Sequence, residues 1–215
     1  MSQANIVELT GGLGQQMFQY AAGVALAQSL GGTLMLSKPD GIDYRPVLFT
    51  KGVPKIPLRA ATIYRQREPA EPWTPERFRG TDVLYCIGEF RYLPAIQPVL
   101  PLLRTELLAA LEPIRAQLIH KYSIRMRKRA AFAYISRKNY DQFFYESAMT
   151  KQKAMHWYIM SDDVEWCKKQ PWLQGKQIVG ETDLAALALM SLCEGGAVFM
   201  DDSLSWWGKV LCLGL

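Results

Sequence analysis

Thr10-Gly11-Gly12-Leu13-Gly14-Gln15-Gln16-Met17-Phe18-Gln19-Tyr20-Ala21-Ala22 is the stretch from which the fold of this chain can be read. It follows a short apolar run, Ala4 to Leu9, that predicts a buried strand, and it leads into an apolar helix ending near Leu30. Three glycines at a strand-to-helix turn let the backbone approach a ligand closely and leave N–H groups free at a helix N-terminus. The same turn also occurs simply to pack a helix onto a sheet. It is neither of the familiar nucleotide loops: no Gly-Lys-Ser/Thr follows, and Met17 stands where a dinucleotide fingerprint needs its third glycine. Gly31-Gly32 stop the helix and Thr33 to Leu36 predicts a second strand, completing a βαβ-like opening.

The chain has 215 residues, enough for one sizeable domain or two small ones, and its 49% apolar content supports a packed core. Twenty-five basic against 20 acidic residues give a net charge of +5, which suits an acidic small ligand and equally keeps a protein soluble. No nucleic-acid partner is expected. Cys86, Cys167, Cys193 and Cys212 are widely spaced, and His120 and His156 are the only histidines, so no zinc or other metal site is expected. Reduced, buried thiols are the plain reading. With no basic-then-apolar leader and no window near 18 uninterrupted apolar residues, the expected location is cytoplasmic.

From Pro39 to Arg79 seven prolines, Pro39 included, break the pattern into short strands and long loops that cannot be placed from sequence. Val83 to Ile87 predicts a strand, followed by Gly88-Glu89-Phe90-Arg91. Leu103 to Leu111 has helical spacing, and Pro113 is expected to break or restart that helix before Ile114, Leu118 and Ile119. Lys121, Arg125, Arg127, Lys128 and Arg129 then form a basic run. It reads as a solvated interdomain connection, with weak contact to an anionic membrane face as the alternative. The expected domains are 1–121 and 122–215. The second alternates: strands at Ala131–Ile135, Trp157–Met160, Gln177–Val179 and Ala197–Met200, with helices at Tyr145–Ala154 and Thr182–Cys193. Such alternation predicts parallel βαβ units.

Within this half, Asp162-Asp163 follow a strand, at the carboxyl end where open α/β sheets bind ligands. One of them is also expected to cap the helix starting near Val164. Thr182 or Asp183 is expected to cap the next helix. Ser203-Leu204-Ser205-Trp206-Trp207 could form a polar rim and aromatic wall around a phosphate or sugar, although tryptophan pairs are more often core.

Five segments, in order, resemble the α-1,2-fucosyltransferases of glycosyltransferase family 11. Residues 11–21 resemble GGLGNQMFQYA, with Gln15 in place of Asn. Gly88-Glu89-Phe90-Arg91 lies where the family often has Gly-Tyr-Phe-Gln, so Gly88 and Phe90 match. Met160 to Cys167 resembles FSDDxxWC, Leu187 to Cys193 resembles a L-x-L-M-S-x-C helix, and Asp201 to Gly208 resembles NSSFSWWG. The family's His-x-Arg-Arg-x-Asp-Tyr aligns with Tyr134-Ile135-Ser136-Arg137-Lys138-Asn139-Tyr140, where only Arg137 and Tyr140 match.

The resemblance implies an α/β fold of GT-B type, with two Rossmann-like domains and a second domain shortened after the SWWG segment. The acceptor-side turn would face the donor site across a cleft. It implies inverting, metal-independent transfer of L-fucose from GDP-β-L-fucose to the 2-hydroxyl of a galactose-containing glycan. Arg137 would contact the pyrophosphate, Asp162, Ser203 and Ser205 would line the donor pocket, and Gln15 with Gly12 and Gly14 would face the acceptor or reacting centre. Ser136 replaces the arginine assigned to the pyrophosphate, Asp201 and Asp202 bring negative charge nearby, and no side chain is identified as the general base. The alternative is a catalytically impaired relative that keeps the fold as a binding protein, or a truncated gene product.

Overall fold

The structure is a computed structural model that describes residues 3–37, 61–124, 129–137, 141–152 and 154–213. The chain divides into two compact units, Met1–Leu103 and Arg104–Leu215, and the boundary falls inside one long helix. The boundary expected at 121 lies near the C-terminal end of that same helix.

Unit 1 contains β1 (Ala4–Glu8), α1 (Leu13–Leu30), β2 (Thr33–Ser37), β3 (Thr62–Arg65), β4 (Val83–Ile87), α2 (Leu93–Ile96) and the start of α3 (Leu100–Tyr122). Its four strands form one parallel sheet in the order β2-β1-β4-β3, with Ala4 paired to both Thr33 and Val83. The central strands β1 and β4 are buried along Asn5–Val7 and Leu84–Cys86. A parallel sheet covered on both faces asks for such continuous apolar runs.

Unit 2 contains β5 (Ala130–Ile135), α4 (Gln142–Lys151), β6 (His156–Ser161), α5 (Val164–Lys168), β7 (Gln177–Ile178), α6 (Asp183–Met190), β8 (Ala197–Phe199) and α7 (Ser203–Leu213). The order β7-β6-β5-β8 is again wholly parallel. The chain thus runs outward from β5 to β6 and β7, then returns to lay β8 on β5's other side. That reversal makes the β5/β8 edge a topological switch point, the place where open α/β sheets leave a crevice beyond their strand ends. Unit 1 has the same reversal between β1 and β4.

Most sequence-predicted elements agree with the observed ones to within a few residues, and the differences have local causes. Pro113 does not break α3. Proline removes the N–H that would bond the carbonyl four residues back, but Ala109 and Pro113 both lie on the exposed face, where a lost backbone bond costs less than it would in the core. Leu103, Leu107, Leu111 and Leu118 are buried on the other face and hold the helix on both sides of the proline. The helix expected from Tyr145 starts at Gln142, because Asp141 accepts the Phe144 N–H at 3.1 Å and caps it. Thr182 occupies the N-cap position of α6 but makes no side-chain cap bond, and Asp183 is the first helical residue. The apolar tail after the tryptophans is helical, and Trp207, Val210 and Leu211 are buried.

The prolines at 39, 46, 54 and 57, together with Arg125, Arg127, Lys128, Lys138, Asn139 and Tyr140, lie outside the described residues. Among the described residues, no helix is long and apolar enough to cross a membrane.

Candidate functional site

At the switch point of unit 1 the glycine turn after β1 lies beside the loop after β4, and two glutamines of α1 tie them together. Gln19 is fully buried and uses its whole amide. Its Oε1 accepts the Thr10 N–H at 2.8 Å, and its Nε2 donates to Thr10 Oγ1 at 2.8 Å and to the Gly88 carbonyl at 2.9 Å. Gln15 lies one helical turn nearer the opening. Its Oε1 accepts the Gly12 N–H at 3.0 Å and its Nε2 donates to Glu89 Oε1 at 3.0 Å. The N–H of Gly12 expected to be free at the helix start is therefore taken by Gln15.

The glycines of the turn have different reasons to be glycine. Gly11 has φ +71° and its Cβ would collide with the Gln15 amide. Gly12 would tolerate a Cβ, which meets nothing within 4 Å, and Gly14 is buried in the first turn of α1.

In unit 2, β5 ends at Ile135, so Ser136 and Arg137 lie beyond the strand in the connecting loop. The alternation that would send Arg137 to the opposite face of a strand from Ser136 therefore does not apply. Ser136 Oγ donates to Asp162 Oδ2 at 2.9 Å, and the Arg137 N–H donates to Asp162 Oδ1 at 2.9 Å. Arg137 Nη1 pairs with Asp163 Oδ2 at 2.8 Å, and its side chain is 63% exposed. Asp163 caps α5 by accepting the Trp166 N–H at 2.9 Å. That backbone donor, then Arg137, holds the Asp163 carboxyl below the usual range. Asp162 is thus tied to the β5 loop, and Asp163 is the capping member of the pair.

Across the switch point, Asp202 Oδ1 accepts the Ser205 N–H at 2.7 Å and the Ser205 hydroxyl at 2.8 Å, at the start of α7. These donors and the helix N-terminus compensate its charge. Ser205 has no exposed surface. It positions Asp202 beneath the crevice and presents no hydroxyl to a ligand, contrary to the sequence expectation. Ser203 is the first residue of α7 and is partly exposed.

Tyr134, at the end of β5, lies among these groups. Burial pushes its phenol well above the ordinary value, and the carboxylates of Asp202, Asp162 and Asp183 reinforce the shift. It stays protonated at neutral pH, a hydrogen-bond donor at the crevice that the sequence reading treated only as a lost histidine. The thiols offer no nucleophile: burial raises Cys86 to about 12 and Cys212 to about 11. No group of three or more His, Cys, Asp or Glu among the described residues is arranged to hold a metal ion.

A cavity of about 540 Å³ in unit 2 lies elsewhere, bounded by Met149, Gln152, Trp157 and Trp172. Trp157 is near the start of β6 and Gln152 follows α4, so this cavity is at the amino ends of the strands. The crevice at the carboxyl ends carries the charged and hydroxylic side chains, and topology favours it as the ligand site.

No family model matches the chain, and no curated protein matches it by sequence. Solved structures match by shape. The fucosyltransferase NodZ from Bradyrhizobium superposes with a TM-score of 0.65 at 11% identity, covering 98% of this chain and 94% of that one. NodZ α-1,6-fucosyltransferase soaked with GDP-fucose gives 0.61 at 10% identity, with coverage of 98% and 93%. A mutant of Arabidopsis thaliana FUT1 in complex with GDP gives 0.57 at 9% identity, covering 99% of this chain and 69% of that one. At such identities the likeness is one of fold: an α/β, GT-B-like arrangement built on parallel sheets.

Proposed function

We propose that this chain is a glycosyltransferase that takes GDP-fucose as donor and a galactose-containing glycan as acceptor. One observation carries the reading: the β7-β6-β5-β8 order gathers Ser136-Arg137, Asp162-Asp163 and Asp202-Ser203 at one switch-point crevice. Those are the segments whose sequences resemble the α-1,2-fucosyltransferases. The GDP and GDP-fucose bound to proteins of the same fold support a guanine nucleotide sugar as the ligand class. Unit 1, with its glycine turn, is the acceptor-side domain.

In this reading transfer is a single inverting displacement to the acceptor's 2-hydroxyl. Negative charge builds on the departing diphosphate as the fucosyl C1–O bond lengthens. The Arg137 guanidinium leaves Asp163 for the diphosphate and stabilises that charge by a two-pronged hydrogen bond. Tyr134 donates its O–H to a phosphate oxygen, Ser203 lies on the rim, and the Asp162 carboxylate fixes the β5 loop from behind. No metal takes part.

A second reading, a donor-binding protein with little transfer activity, draws on the Ser136–Asp162 hydrogen bond. The position aligned with the pyrophosphate arginine holds a hydroxyl tied to a carboxylate. One variant tests the donor site common to both readings and a second separates them. Arg137→Ala is expected to weaken GDP binding by about tenfold or more in calorimetric titration, since one charge-assisted contact is worth about 1.5–3 kcal/mol. Ser136→Arg is expected to raise fucose transfer roughly a hundredfold, the usual value of one such stabiliser. If Ser136→Arg stays at background while GDP still binds, the transferase reading fails and the binding reading stands.

A further inference from the structure

The 540 Å³ cavity of unit 2 lies at the opposite end of the sheet from the donor crevice, and the transfer reading makes no use of it. Its wall is drawn from the last turns of α4 with Gln152 after them, from the start of β6, and from the turn between Trp172 and Lys176 that leads into β7. All of these belong to unit 2. The volume is that of a pocket for a small organic ligand.

Two tryptophans give the cavity its character. Trp157 and Trp172 are half-buried and back onto the core that Tyr145 and Met149 help to build. Tyr145 has no exposed surface and stacks on Trp172, with ring centres 6.4 Å apart and planes 30° apart, which holds that indole in place. The Gln152 amide is held as well. Its Nε2 donates to the Ala197 carbonyl at 2.9 Å, and Gly196, at φ +137°, leaves open the space that the amide fills, since a Cβ there would overlap it. The wall is therefore formed before any ligand arrives, which lowers the cost of binding.

Around the indoles stand groups of both hydrogen-bonding senses. Thr150 Oγ1 donates to the Glu146 carbonyl at 2.7 Å, so a ligand hydroxyl would find it an acceptor. Lys176 Nζ gives one proton to the Trp172 carbonyl at 2.6 Å, and an ammonium carries three. The Glu146 carboxylate accepts from Gln142 Nε2 at 3.0 Å and has acceptor sites beyond that bond. The charges of Glu146 and Lys176 cancel. An anion would meet the carboxylate, and an alkyl chain would strip water from both charged groups. A neutral sugar ring suits the whole wall: its C–H face lies on an indole, and its hydroxyls both donate and accept.

We propose that this cavity is a second, separate glycan site that binds one uncharged pyranose unit, independently of the donor crevice and of the transferase reading.

The test titrates the full chain with lactose, N-acetyllactosamine and cellobiose by calorimetry, and follows amide hydrogen exchange with the tightest binder. At least one is expected to bind in the millimolar range or tighter, with an affinity that saturating GDP changes by less than about twofold. Added protection is expected at residues 146–152, 155–157 and 172–177, a readout that needs no variant. Thr150→Trp fills the cavity from an exposed position on α4 without removing a core side chain, and is expected to weaken binding by about tenfold or more. Lys176→Ala removes one donor and is expected to weaken it by about threefold. The inference is overturned if none of the three saccharides binds, if protection falls elsewhere, if GDP displaces the saccharide, or if both variants bind it as wild type does. Saccharide bound at the cavity by a chain that binds no GDP would sink the donor reading and support this site. GDP bound by a chain that takes no saccharide would do the reverse.

Discussion

Gln19→Ala is expected to destabilise unit 1 by about 3 kcal/mol, read as a fall in the urea unfolding midpoint. Gln19 has no exposed surface and its amide serves three groups, two on Thr10 and one on Gly88. Alanine leaves the partly buried Thr10 N–H and Gly88 carbonyl without that partner, at the lower end of about 1–3 kcal/mol each, and opens a void where the buried Gln19 side chain was. Gln19→Leu fills the volume and still orphans both groups, so it is expected to fare little better than alanine. A loss below about 1 kcal/mol for both variants would mean that the stitch between the β1 and β4 loops does not hold the crevice.

Gly195→Ala is expected to cost unit 2 about 3 kcal/mol, the upper end of overpacking penalties. The Gly195 N–H donates to the Ala130 carbonyl at 2.7 Å, drawing the chain ahead of β8 against the start of β5. A Cβ there would lie 2.5 Å from the Arg129 carbonyl oxygen and 2.6 Å from its carbon. These are backbone atoms that cannot swing aside, so β8 must shift away from β5 and carry Asp202 with it. Gly180→Ala is the control, since its Cβ would meet only Val164 at an ordinary 3.9 Å. Thermal unfolding should separate the two variants by several degrees in melting temperature. Equal behaviour would contradict the observed pairing of β8 with β5.

What sequence reveals and hides here follows the range of the interactions. Strands β1, β4 and β5 and helix α1 are legible because their apolar runs and glycine stops are local signals. The capping role of Asp163 is legible for the same reason. The Gln15–Glu89 hydrogen bond joins residues 74 positions apart, and no periodicity foretells it. Ser205 looks like a rim hydroxyl in sequence, whereas its burial depends on how α7 packs in unit 2. Pro113 looks like a break because its local cost is visible, while the leucine face that outweighs that cost is tertiary. Tyr134 reads as the loss of a histidine, and only the fold shows that its phenol is buried among the Asp202, Asp162 and Asp183 carboxylates.

The central claim is that the carboxyl end of the unit 2 sheet, at the β5/β8 switch point, binds a guanosine diphosphate. Amide hydrogen exchange of the full chain with and without saturating GDP tests it most directly. Added protection is expected at residues 134–137, 161–164 and 200–205, with none around Trp157 and Trp172. Protection confined to the 540 Å³ cavity at the amino ends of the strands, or no protection anywhere, would contradict it.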